Sequence, residues 1–138
     1  MKYVRYGAIG LITFVILAGI AIPTVRTPQG LFEFPSIPGL GQKSRNIFFH
    51  VPVAWTTVVA FLVSMYYGFR YLRTRDMDFD VKSVSSAGLG FMFCFLATVT
   101  GSVWAKFNWG EFWNWDPRET SIFILLLIYA AYFALRSS

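Results

Sequence analysis

The chain has 138 residues, 56% of them hydrophobic, with twelve Lys or Arg against seven Asp or Glu and a net charge of +5 at pH 7. An excess of positive charge of that size would suit a nucleic-acid-binding protein if it formed a patch, but here the charges are banked at the ends of long apolar runs. That arrangement excludes both a nucleic-acid partner and a soluble globular domain, and it points to the lipid bilayer.

No residue is charged between Arg5 and Arg26 or between Lys82 and Lys106, and between Arg45 and Arg70 only His50 can take a proton. Each gap is long enough to cross a hydrocarbon core of ~30 Å at about 1.5 Å per helical residue. The first predicted span, 6–22, follows Lys2 and Arg5 as a signal peptide would, but no small-x-small cleavage pattern follows it, so a retained helix is expected. Pro23 stops it. The segment 23–45 holds four of the six prolines, Pro23, Pro28, Pro35 and Pro38, and is expected to be irregular and exposed.

The second span, 47–72, has Pro52 near its start, so either the Phe48 carbonyl loses its helical donor or the helix begins near Val51. His50 stands at the mouth of this helix in both cases. The segment 70–82 mixes basic residues with Asp76, Asp78 and Asp80 and reads as a solvated connector. The third span, 84–104, carries Gly88 and Gly90, which would let another helix approach closely, and it contains the single cysteine, Cys94, which has no intrachain disulfide partner. The fourth apolar run is short and spans only if the helix is counted from Pro117, giving 117–135. Asp116 as N-cap, Pro117 at the first helical position and Glu119 two residues later make a start resembling a capping box.

The expected fold is therefore an all-α integral membrane helical bundle of four transmembrane helices in a single domain, 1–138. With a cytoplasmic N-terminus, Lys2, Arg5, Arg70, Arg73, Arg75, Lys82 and Arg136 lie inside and Arg26, Lys43, Arg45, Lys106 and Arg118 outside, a modest positive-inside bias of seven against five. Span parity puts His50 and the segment between the third and fourth helices on the same side, whichever way the chain is inserted.

That segment is rich in tryptophan. Four of the five tryptophans, Trp104, Trp109, Trp113 and Trp115, fall within twelve residues, interleaved with Phe107 and Phe112, whereas headgroup anchors would be spread over both faces. Such a patch could hold a planar apolar ligand, a porphyrin or a quinone ring, or dock a partner peptide. His50 is either an interfacial hydrogen-bonding residue or, as a neutral imidazole, a ligand for haem iron. In the second case Lys43, Arg45, Lys106 or Arg118 would pair with propionates, although lipid headgroups would serve the same cations. There is no C-x-x-C-H for covalent haem attachment.

The stretch WGEFWNWD, residues 109–116, resembles the WGxxWxWD signature of the haem-handling proteins of cytochrome c biogenesis, and FHVPVAW, residues 49–55, resembles the HVPxAW segment of the haem exporter protein C (CcmC) family. The wording WDPRET at 115–120 is closer to the WDPKET of the CcsA branch of the same superfamily. The resemblance implies a haem carrier, not an enzyme, in the cytoplasmic membrane. Its members bind haem b non-covalently at the outer face and present it to a membrane-tethered haem chaperone, beside ABC-type transporter subunits. By position, His50 would be an axial iron ligand, Trp109, Gly110, Trp113, Trp115 and Asp116 the haem-contacting loop, and Arg45 and Arg118 nearby cations.

The family pattern has six spans and a second external histidine, and this sequence has one histidine and four predicted spans. Met65, Met77 and Met92 lie in or inside the membrane and cannot replace the second ligand, so a truncated form is the expectation, ahead of a ligand from another chain or a weak sixth ligand. The rival reading is a structural or assembly subunit whose Trp-rich loop docks a partner protein. A quinone-linked oxidoreductase subunit would want further redox ligands or carboxylates in the spans.

Overall fold

The computed structural model describes residues 2–25, 29–31 and 33–137. The chain is all-α, with four α-helices among the described residues: α1 (Lys2–Ala21), α2 (Asn46–Thr74), α3 (Met77–Trp109) and α4 (Pro117–Ser137). Three stretches, Gln42–Thr74, Met77–Trp109 and Pro117–Ser137, are long and apolar enough to cross a membrane, while the apolar part of α1, Tyr6–Ala21, is shorter. The short fourth run reaches spanning length because its helix starts at Pro117. The chain divides into two compact units, Met1–Phe49 and His50–Ser138.

In the first unit the Pro-rich segment is mostly irregular, as expected, but Thr24–Val25 and Phe34–Pro35 pair as two very short parallel strands, β1 and β2. Arg26 and Pro28 lie outside the described residues. The Phe34 ring stacks on Phe48 at 4.2 Å. Arg45 Nη1 donates to the carbonyls of Gly19 and Ile20 at 2.9 and 2.7 Å, satisfying acceptors that the end of α1 leaves without helical partners. A 3-10 turn, Gln42–Arg45, leads directly into α2. The helix thus begins before Pro52, and of the two readings of that proline the first holds: residue 52 has no N–H to offer the Phe48 carbonyl.

The second unit packs α2, α3 and α4. The buried face of α3 is a stripe of small residues, Ser83, Ala87, Gly90, Cys94 and Ala97, recurring every three or four positions, with Ala105 two turns further on. Helices in lipid gain little from burying large apolar groups, which lipid tails solvate equally well, so close backbone approach through small residues is what holds them together. A Cβ at Gly90 would stand 2.6 Å from Phe61, so only glycine admits that ring, whereas a Cβ at Gly88 would meet nothing within 4 Å. Of the two glycines expected to matter, Gly90 does. Phe61 stacks on Tyr129 of α4 at 4.1 Å, and Phe91 meets Phe133 edge-on at 5.7 Å. The large side chains point outward: Leu62, Met65, Phe95, Val99, Leu127 and Ile128 are exposed, the inverse of a soluble core.

The segment 70–82 is largely exposed, as expected, but most of it is helical: α2 runs to Thr74, α3 starts at Met77, and only Arg75, at φ 58°, and Asp76 join them. Asp76 caps α3 by accepting the Asp78 N–H at 3.0 Å, and Asp78 and Asp80 fill the first turn, where the helix dipole favours acids. Asp80 is buried and ion-pairs with Arg136 in the last turn of α4, Nη1 reaching Oδ1 at 3.1 Å. Within this otherwise exposed stretch, Asp80 is the exception to the sequence reading, locking α3 to α4.

Candidate functional site

At the opposite end of the second unit, α3 continues past the predicted boundary at 104 as far as Trp109. Trp104, Lys106 and Phe107 are therefore helical, and Gly110, at φ 86°, is the left-handed cap whose N–H returns to the Lys106 carbonyl at 3.2 Å. The true loop is 110–116. Trp115 is held at φ 60°, a backbone region that bulky residues rarely enter. It turns the chain into α4, where Asp116 Oδ1 accepts the N–H groups of Arg118 at 2.7 Å and Glu119 at 3.3 Å.

The capping box is displaced from its expected form. Glu119 Oε2 accepts the N–H of Asn114 at 2.8 Å, and the Asp116 N–H goes to Asn114 Oδ1 at 3.1 Å, because the turn at Trp115 brings Asn114 over the helix start. Arg118 closes on Asp116 with Nη2 to Oδ2 at 2.5 Å and lies over the Trp109 ring at 4.9 Å. Its guanidinium, by hydrogen bonding, holds the Asp116 carboxyl down to about 2, with the backbone N–H groups of Arg118 and Glu119 adding to the effect. Trp113, Trp115 and Phe123 meet edge-to-face with centroids 5.7 to 6.3 Å apart. Each such pair contributes about 0.5–1.5 kcal/mol beyond burial.

Between α2, α3 and this loop lies a cavity of about 200 Å³. His50 and Ala54 of α2 form one wall, Ala97, Thr98, Gly101, Ser102 and Trp104 of α3 a second, and Trp109, Trp113, Asp116, Arg118, Glu119 and Ile122 the rest. A Cβ at Gly101 would stand 3.0 Å from His50 Cε1, so glycine makes room for the imidazole. His50 Nδ1 lies 3.0 Å from Thr100 Oγ1. Thr100 Oγ1 also lies 2.8 and 3.2 Å from the carbonyls of Leu96 and Ala97. With its one hydroxyl proton on either carbonyl it presents a lone pair to the ring, and Nδ1 would then carry the imidazole proton and leave Nε2 its lone pair, the tautomer a metal-ligating histidine needs.

The family model described as CcmC, heme exporter protein C, matches residues 4–138. The chain belongs to the heme exporter protein C family. Among curated relatives it is 36% identical over 109 residues to heme exporter protein C of Bradyrhizobium diazoefficiens, covering 77% of this chain and 41% of that one. It is 32% identical over 120 residues to heme exporter protein C of Paracoccus denitrificans, covering 87% and 50%. Cytochrome c biogenesis protein CcsA of Manihot esculenta is 40% identical over 81 residues, covering 58% of this chain and 24% of that protein. The chain thus spans between 41% and 50% of the length of the heme exporter protein C relatives it matches. No solved structure matches it.

In this chain the fold brings together five of the residues singled out from sequence, His50, Trp109, Trp113, Asp116 and Arg118, as walls of one cavity. Three others do different things. Gly110 is a helix cap, Arg45 holds the end of α1, and Trp115 is 67% exposed, presenting its edge to Trp113 and Phe123. Lys106, considered as a propionate partner, donates to the Gly110 carbonyl at 2.6 Å and lies over Phe112. Thr100, Gly101 and Glu119 were not singled out for the site. Thr100 and Gly101 already lie inside the predicted span 84–104, and what the sequence lacked was the packing of that face of α3 against His50.

Proposed function

We propose that this chain binds haem b non-covalently and transiently in the cavity between His50 and the tryptophan-rich loop, and that it carries haem without catalysing bond chemistry. The cavity lies at the outer face of the cytoplasmic membrane, the N-terminus being cytoplasmic, and haem is handed to a membrane-tethered haem chaperone for cytochrome c maturation. ABC-type transporter subunits are the assembly partners. The observation that carries this reading is the presence in one cavity of the His50 imidazole, its Nδ1 within 3.0 Å of Thr100, together with Trp104, Trp109 and Trp113.

The residues present suit that cargo. Iron accepts a nitrogen ligand, and His50 offers one whose other nitrogen is anchored by Thr100. The indoles supply flat apolar contact. A volume of about 200 Å³ encloses one edge of a porphyrin and leaves the rest accessible to an acceptor, as a carrier that must release its load requires. His50→Ala is expected to abolish the low-spin haem absorption of the detergent-purified protein. An unchanged spectrum would remove His50 from the site.

The exposure of Trp115 and Phe112 favours a second reading, in which the loop docks a partner protein within a larger membrane complex. Protein that stays colourless after haem is added, together with loop variants that lose a partner and not a pigment, would select it.

A further inference from the structure

Among the described residues, two buried side-chain polar atoms have no hydrogen-bond partner, Trp113 Nε1 and Glu119 Oε1, and both residues line the cavity that holds His50. Their residues are linked through the chain: Glu119 Oε2 accepts the N–H of Asn114, the residue after Trp113. The capping role of Glu119 therefore uses one carboxylate oxygen and leaves the other over. A buried donor or acceptor left unmet costs about 1–3 kcal/mol, so a pair of them on one cavity wall marks a place where something polar is to be received.

The chemistry of the pair restricts the occupant. An indole N–H only donates and a carboxylate oxygen only accepts, so the group between them must accept and donate at once. The apolar edge of a porphyrin does neither. A fully ionised carboxylate accepts from Trp113 but has nothing to give Glu119, and the one cation on the cavity wall, Arg118, is already closed on Asp116. A carboxyl group sharing a single proton with Glu119 meets both requirements, because proton sharing lets two carboxyls stand together without two negative charges.

We infer that Trp113 and Glu119 form a polar subsite for a carboxyl group of the bound ligand, the indole N–H donating to one of its oxygens while the other shares a proton with Glu119 Oε1. The inference rests on the haem reading above and adds an orientation: one propionic side chain enters the cavity, and the opposite, apolar edge of the porphyrin faces outward to the acceptor. Glu119 thereby gains a role as a specificity-determining residue in addition to its place at the start of α4.

The experiment compares iron protoporphyrin IX with its dimethyl ester on the full chain in detergent, by optical titration of the wild type and Glu119→Gln. An ester carbonyl still accepts from Trp113 but has no proton to share. The wild type is expected to bind the free acid about tenfold more tightly, as for one hydrogen bond to a charged group. In Glu119→Gln the amide retains an acceptor for Asn114 and gains a donor for the ester, so the preference falls to about twofold or less. Equal binding of the two porphyrins by the wild type, or an undiminished preference in Glu119→Gln, which would be steric, overturns the subsite and leaves the haem reading standing. Failure of the wild type to bind either porphyrin overturns both.

Discussion

The two ends of the α2–α3–α4 bundle are built from similar materials and finished differently. At the Asp80 end each buried polar group has a protein partner. Ser64 and Ser83 donate to each other's backbone carbonyls at 2.9 Å, and Asp80 is paired with Arg136. Even the cations nearby rest on rings, Arg70 over Phe79 at 4.6 Å and Arg73 over Phe69 at 4.4 Å. At the His50 end, by contrast, a donor and an acceptor are buried without partners, Trp113 Nε1 and Glu119 Oε1; positive φ does not separate the ends, since it occurs at Arg75 as well as at Trp115. Closed networks hold helices together, whereas buried unmet groups suit a place that receives a polar ligand. On the function proposed above, the first end is an anchor and the second a receptor.

The contrast predicts that substitutions at the two ends separate into two phenotypes. The largest effect is expected from Gly101→Leu, whose side chain would occupy the place of the His50 ring: haem affinity should fall by about a hundredfold or more with the thermal midpoint little changed, since the cavity has room for the added carbons. A large loss of thermal stability with binding intact would invert the assignment of that wall. Asp80→Asn should do the reverse. It leaves the Arg136 guanidinium without its carboxylate, a loss of about 1–3 kcal/mol for a pair in which one partner is partly exposed, with haem titration unchanged. Thr100→Val lies between the two. Removing the acceptor for Nδ1 frees the ring to rotate and change tautomer, and a loss of about tenfold in haem affinity with under 1 kcal/mol of stability is expected. Equal effects at both ends in these titrations would dissolve the comparison.

The anchor and the receptor differ also in how far they could be read from sequence. Span positions follow from where charge is absent, since a charged residue inside lipid is costly whatever the fold, and all four helices formed where those gaps lie. The pairing of His50 with the tryptophan segment followed from parity and from motif resemblance. What stayed hidden were properties of pairs. Asp80 looks like any acid in a charged turn, and only the return of α4 places Arg136 beside it, more than fifty residues later in the chain. Glu119 fits a helix-start pattern completely, so nothing local shows that one of its oxygens is surplus. The positive φ at Trp115, which sends Asn114 rather than Asp116 to Glu119, has no signature in residue type, because glycine and asparagine are the usual residues in that region.

The mildest expected effect concerns the acid that straddles both descriptions, Asp116, which caps α4 and borders the cavity. Its folded carboxyl is depressed to about 2 by Arg118, below the value of about 3.9 it would have in an unfolded chain. A depressed acid contributes its cap fully above the unfolded value and loses it as pH falls through the folded one. Between pH 7 and pH 4, then, Asp116 stays ionised, its bonds to the Arg118 and Glu119 N–H groups persist, and the indole cluster that this turn positions should keep its fluorescence. Emission is expected to change only as the pH approaches 2, and Asp116→Ala should show at pH 7 the emission that the wild type reaches there. If the wild-type emission shifted already between pH 7 and pH 5, the group governing the turn would be another carboxylate, and the strained turn at Trp115 would need a support other than the Asp116 to Arg118 pair.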